Sequence, residues 1–200
     1  MTGRGIARRF AASLVLRDLR RRFRRVVWIG EPPALPEGPV VVYANHHAFH
    51  DGYLLWHLLG HRLGRPFVLW MEQWDAVPLF GPLGALPFPA GDARRRAATV
   101  RETARRMTQD PKTVFLLFPE GVLGPPDAGL APFRSDLTRL ARLLPDATRW
   151  WPAAVRVTWW GDERPTALLT GGPLHDHPDG EERARLQALL DRLADARPAD

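Results

Sequence analysis

Cysteine is absent from the 200 residues. That excludes disulfides, thiolate metal centres and a cysteine nucleophile, and it is compatible with a reducing compartment. Lysine is nearly absent too: Lys112 stands alone among 28 basic residues. With abundant Ala, Pro and Gly, this reads as a compositional bias, so no single arginine counts as a functional signal by itself. Long apolar runs are also missing. No segment offers the roughly 20 apolar residues of a spanning helix. The longest uncharged run, Ala76 to Gly91, is broken by prolines that a regular helix rejects. Acids are scarce at one end. Residues 1–30 hold nine arginines and one acid, Asp18, a local charge of +8 in a chain of net +6. The basic character therefore belongs to the N-terminal segment, not to the rest.

What is present suffices for one domain with a true core, since 45% of residues are hydrophobic. In residues 1–30, Ile6, Phe10, Leu14, Leu19, Phe23 and Val27 recur at mostly helical spacing among arginines. A basic amphipathic helix suits an anionic membrane surface. The rival is a helix packed on the domain with a solvated arginine face. Arginines interrupt the apolar pattern too often for a signal peptide, and no recognition motif supports nucleic acid binding.

Glu31–Pro39 reads as a linker, so the expected regions are 1–30, a membrane-contacting helix, and 38–200, a catalytic domain. Strands are predicted at 40–44, 66–70, 113–118, 151–159 and 166–170. Helices are predicted at 51–61, at 92–108 (N-cap Asp92; Ala97, Val100, Ala104 and Met107 inward), at 135–144 (N-cap Ser135) and at 181–194. Residues 76–91 and 121–133 are predicted loops. Alternating strands and helices predict a single α/β domain with a largely parallel mixed sheet flanked by helices. Sites in such sheets lie at strand carboxyl ends.

Two motifs fall at such ends. Asn45-His46-His47-Ala48-Phe49-His50-Asp51 follows the first strand, and Phe118-Pro119-Glu120-Gly121 follows the third. Histidine is the side chain best poised to deprotonate a hydroxyl near neutral pH, and a carboxylate fixes its tautomer. His46 and Asp51 fit those roles. Three histidines and an aspartate so close also raise a metal site, although adjacent His46 and His47 point apart in regular structure. No Gly-x-Ser-x-Gly elbow accompanies the motifs.

Together the motifs resemble the phospholipid/glycerol acyltransferase family over roughly residues 38–172. The resemblance implies acyl transfer from acyl-CoA or acyl carrier protein to a lipid hydroxyl of the lysophospholipid or glycerolipid class. It implies no metal or cofactor, with His46 as general base and Asp51 as its partner. Asn45, Gly84, Pro119, Glu120, Gly121 and Pro152 would bind substrate. Glu120 would accept from the acceptor hydroxyl, the Gly121 N–H would face a developing oxyanion, and Pro152 would line the acyl pocket. The expected location is peripheral, on the cytoplasmic face of a membrane, with an anionic membrane surface as partner. The chain departs from the family pattern at Ala90, where an arginine usually engages the acceptor's phosphate, and at Val122 and Leu123, which replace a polar stretch. Arg94, Arg95, Arg96 and Arg134 are the nearby cations. A thioesterase and a non-catalytic lipid-binding relative are the rival readings.

Overall fold

Val40–Ala44 is buried on both faces, the pattern of an interior strand of a parallel sheet covered by helices on each side. The computed structural model describes residues 3–31, 34–76 and 78–197. Parts of the predicted linker 31–39 and loop 76–91, and the outermost residues of the two predicted regions, lie outside the described residues. In chain order the elements are α1 (Gly3–Arg22), β1 (Arg25–Trp28), β2 (Val40–Ala44), α2 (Asp51–Trp56), β3 (Phe67–Met71) and β4 (Ala85–Pro87). They continue with α3 (Ala93–Gln109), β5 (Val114–Leu117), α4 (Leu137–Ala141), β6 (Arg149–Thr158), β7 (Thr166–Gly171) and α5 (Glu182–Ala194). One seven-stranded sheet runs β1-β7-β6-β2-β5-β3-β4. Every neighbouring pair is parallel except β6 with β7. The expected α/β domain with a largely parallel mixed sheet is what forms.

Alternation along β2 divides the core into two layers. Val40, Val42 and Ala44 join Ala11, Val15, Leu19 and Phe23 of the N-terminal segment and Leu54 and Leu55 of α2. Val41 and Tyr43 face the opposite layer, with Met107 of α3, Leu140 of α4 and Leu186 and Leu190 of α5.

Several expectations are corrected. The apolar residues of α1 do not form one face. Leu19 and Phe23 are buried with Ala11 and Val15, whereas Ile6, Phe10 and Leu14 point to solvent. The i, i+4 row from residue 11 packs on the domain because it carries the side chains that fit the sheet, and the row from residue 6 is left outside. Val26 and Val27 do not continue a helix: β1 pairs with β7, where β-branched residues suit a pleated edge. The loop 76–91 contains a 3₁₀ stretch, Pro78–Leu83, and the edge strand β4. In α3, Thr99 and Thr103 are buried with Met107, Ala104 packs partly buried on the same layer, and Ala97 is exposed; Thr103 Oγ1 accepts from the Trp70 indole at 2.9 Å. Asp136, not Ser135, caps the helix that follows, accepting from the Arg139 N–H at 2.8 Å. Asp92 caps α3 as expected, accepting from Arg95.

Gly84 shows why one glycine is fixed. Its φ is +107°, and a Cβ built there would lie 1.8 Å from the Phe67 carbonyl oxygen. The Gly84 carbonyl accepts from Leu69 N–H at 3.4 Å, so close approach brings β4 alongside β3. Gly84 is a residue of the fold and does not line the cavity described below. Gly84→Ala combines left-handed strain with a backbone collision, so it should lower unfolding free energy by about 3 kcal/mol or more, as measured by urea denaturation.

Candidate active site

β2 and β5 are neighbours in register from Val40–Val114 to Tyr43–Leu117. The segments that follow them therefore leave the same end of the sheet side by side. The first turns at once into α2, whose first residue is Asp51. The Asp51 carboxylate is 1% exposed. Its Oδ2 accepts from the N–H groups of His47 (2.7 Å) and Ala48 (2.8 Å) and lies 3.4 Å from Nδ1 of His46. Two backbone donors fix the carboxylate's orientation. With Nδ1 turned to Asp51, Nε2 is the ring nitrogen left for chemistry. The ring is stacked on Phe118, with centroids 4.2 Å apart and planes 13° apart.

His46 opens onto a cavity of about 680 Å³, within the roughly 300–1,000 Å³ typical of small-molecule sites. Val15, Phe49, Tyr53, Phe80 and Leu116 supply apolar wall. Burial, with Asp18 adding to it, pushes the Tyr53 hydroxyl up to about 12, so this wall is neutral at physiological pH. Arg96 and Arg134 stand at the cavity as well. Arg96 lies over the Phe88 ring, 4.2 Å from its centroid. Arg134 is positioned by its N–H, which donates to the Pro119 carbonyl at 2.8 Å. Neither has a carboxylate partner among the described residues, whereas Arg95 is bound bidentately to Asp75.

The remaining predicted site residues sit behind this surface. Asn45 is fully buried and clasps β6 through both amide atoms: Nδ2 donates to the Val155 carbonyl (2.9 Å) and Oδ1 accepts from its N–H (2.8 Å). Glu120 is also fully buried. Oε1 accepts from the His46 N–H (3.0 Å) and Oε2 from the Ala131 N–H (2.8 Å). Both oxygens are thus engaged, and Glu120 joins the two motifs where it was expected to meet an acceptor hydroxyl. Gly121 lines the cavity, but its N–H donates to the Phe118 carbonyl at 3.1 Å and closes a turn, so it is not a free oxyanion donor. Pro119 contributes its carbonyl to Arg134 and Ser135. Pro152 is an interior residue of β6 opposite Tyr43 and does not line the cavity.

The three histidines diverge. His46 meets Asp51, Nε2 of His50 meets Asp18 of α1 at 3.0 Å, and Nε2 of His47 is buried without a partner among the described residues. No group of three or more potential ligands among the described residues is placed to hold a metal ion. The reading from sequence missed Val15 because α1 seemed separate from the domain. It missed Phe49 and Tyr53 as cavity wall because a mostly apolar helix gives no sign of which side is left open.

A histidine held on a buried carboxylate thus opens onto an apolar cavity at the end of a parallel sheet. Residues 25–155 match the acyltransferase family. The chain belongs to that family and is an acyltransferase. Among solved structures it is similar to PlsC, the 1-acyl-sn-glycerophosphate (LPA) acyltransferase from Thermotoga maritima, with a TM-score of 0.64 over 98% of this chain and 85% of that chain. At 17% identity that likeness speaks to the fold. No curated protein matches the sequence.

Glu120→Gln distinguishes an internal tie from a substrate contact. Glutamine offers one acceptor oxygen where two backbone N–H groups are served, so unfolding free energy should fall by about 1–3 kcal/mol in urea denaturation. Unchanged stability with a raised acceptor KM would return Glu120 to the acceptor.

Proposed function

We propose that this acyltransferase moves a fatty acyl group from a thioester, acyl-CoA or acyl carrier protein, to the hydroxyl of a lysophospholipid or glycerolipid at a membrane surface. The observation that carries this reading is the pairing of His46 with Asp51 at the mouth of an apolar cavity large enough for an acyl chain. Nε2 of His46 takes the acceptor's hydroxyl proton as its oxygen attacks the thioester carbonyl. Asp51 stabilises the imidazolium. Collapse of the tetrahedral species forms the ester and expels the thiolate, to which His46 returns the proton. No covalent bond to the protein forms.

Arg96 and Arg134 support an acceptor that bears phosphate. Ala90 and Leu123, both at the cavity, lack the positive charge that such a group requires. The two arginines bring guanidinium groups from α3 and from the loop after Glu120. Arginine's planar fork matches a phosphate's oxygens.

A peripheral membrane location is supported by Ile6 (57% exposed) and Phe10 (59%). They share the outward side of α1 with Leu14, and Phe49 is exposed at the cavity itself. No helix among the described residues is long and apolar enough to cross a membrane. Apolar side chains of this kind dip into the headgroup boundary while arginines stay with the phosphates. The acceptor then enters the cavity from the bilayer.

Thiol release from palmitoyl-CoA across a panel of lysolipids tests the reaction. Release should require one acceptor class and fall by about 10²–10⁴-fold in His46→Ala, with the melting temperature unchanged. Acceptor-independent release would mark a thioesterase instead. Arg96→Gln and Arg134→Gln should each raise KM for a phosphate-bearing acceptor more than they lower kcat. The membrane side is tested by Ile6→Ser, Phe10→Ser and Leu14→Ser combined. These leave the buried row of α1 intact and should weaken partitioning onto anionic liposomes at low salt.

A further inference from the structure

A second recess of about 340 Å³ lies on another part of the molecule, between the end of α1, β1 and the turn after α2. Its lining includes Arg20, Arg24, Arg25, Arg62, Arg164, His57 and His61, and no carboxylate. None of these residues lines the catalytic cavity.

Local structure accounts for the convergence. After Trp56 the helix widens into a π-helical stretch, His57–Arg62. The Leu63 N–H reaches back to the Leu58 carbonyl at 3.0 Å. Such stretches are rare and occur often at functional sites. Here the widening places His57 and His61 in a stack, centroids 5.5 Å apart, and turns Arg62 toward the recess. From the β6–β7 turn, Arg164 donates to the Arg20 carbonyl at 2.9 Å, which also satisfies the open end of α1.

The charge is poorly compensated. Asp162 pairs with Arg24 at 3.0 Å and reaches Arg25 at 3.7 Å. Arg20, Arg62 and Arg164 have no carboxylate partner among the described residues. His57 Nδ1 is buried with no hydrogen-bond partner among them. Guanidinium groups gathered in a concave recess repel one another unless an anion lies between them. An unpaired buried ring nitrogen adds a position for one more hydrogen bond.

We propose that this recess binds a phosphate group, carried by an anionic lipid headgroup or free in solution, as a site separate from the catalytic cavity. Arg20, Arg62 and Arg164 supply the fork-shaped donors. His57 and His61 supply protonatable ring nitrogens. The His57 ring is held below its ordinary value by burial first, then by His61, Arg62 and Arg20. Arg24 and Arg25 face the same space while paired to Asp162, so a phosphate would be the counter-charge that the rings lack. Binding therefore tightens as pH falls through the titration of His57.

The test follows the His57 and His61 rings by NMR in the full chain. Inorganic phosphate is added in one arm, phosphatidic-acid vesicles in a second and neutral phosphatidylcholine vesicles in a third. Bound phosphate should raise both titration midpoints. The doubly substituted Arg62→Gln, Arg164→Gln chain should bind about tenfold or more weakly. Its acyl transfer to a short-chain soluble acceptor should be unchanged, which separates this site from the catalytic one. A rise with both phosphate and phosphatidic acid assigns the site to phosphate as such; a rise with phosphatidic acid alone assigns it to a headgroup at a membrane. Midpoints unmoved by either, or moved equally by neutral vesicles, would overturn the proposal. An equal rise in the substituted chain would overturn it too; Arg20→Gln serves as the second variant.

Discussion

Two loops that leave adjacent strands make one site only if their spacing is fixed, and the carboxylate of Glu120 fixes it. A buried negative charge is costly unless hydrogen-bonded. Here each oxygen finds a backbone N–H, one on His46 after β2 and one on Ala131 across the loop after β5. Asn45 ties the same loop to β6, and Asp51 ties its two turns to α2. Side chain to backbone bonds of this kind permit almost no sliding, since each donor is part of the main chain. His46 is the member of this set that lines the cavity. Its placement follows from the hydrogen bonds of these neighbours.

The same logic extends to α1. The helix contributes Val15 to the cavity wall and Asp18 to the His50 ring while its other side shows Ile6, Phe10 and Leu14 to solvent. One rigid element thus supplies both a piece of the cavity wall and an exposed apolar row. The apolar residues needed for the two purposes occupy different i, i+4 rows, so neither face interferes with the other. Arginines fill the intervals and keep the helix soluble along its flanks.

Much of the sheet was legible in the sequence because interior parallel strands are continuous apolar runs, and 40–44, 113–118 and 166–170 announce themselves. β1 and β4 were not. Val26-Val27-Trp28 follows a helical pattern without a break, and β4 is three residues set among prolines; both become strands only because an edge is there to pair with. His46 and Asp51 were legible as a pair since their roles depend on local spacing. The roles of Glu120, Asn45 and Gly84 were not, because each is defined by a partner far along the chain: Ala131, Val155 and the Phe67 carbonyl. Residue type alone marked them as useful. Only tertiary contact shows which backbone groups they hold in place.

β1 lies at the sheet's edge and is paired with β7 alone, from Arg25–Thr166 to Trp28–Leu169. Some 140 residues separate those partners, so closing that edge carries a large loop entropy and comes late in folding. During synthesis, α1 and β1 emerge well before their sheet partner β7. Until β7 arrives, β1 has no strand to pair with. The edge strand that follows the basic helix therefore owes its place in the sheet to a segment far along the chain.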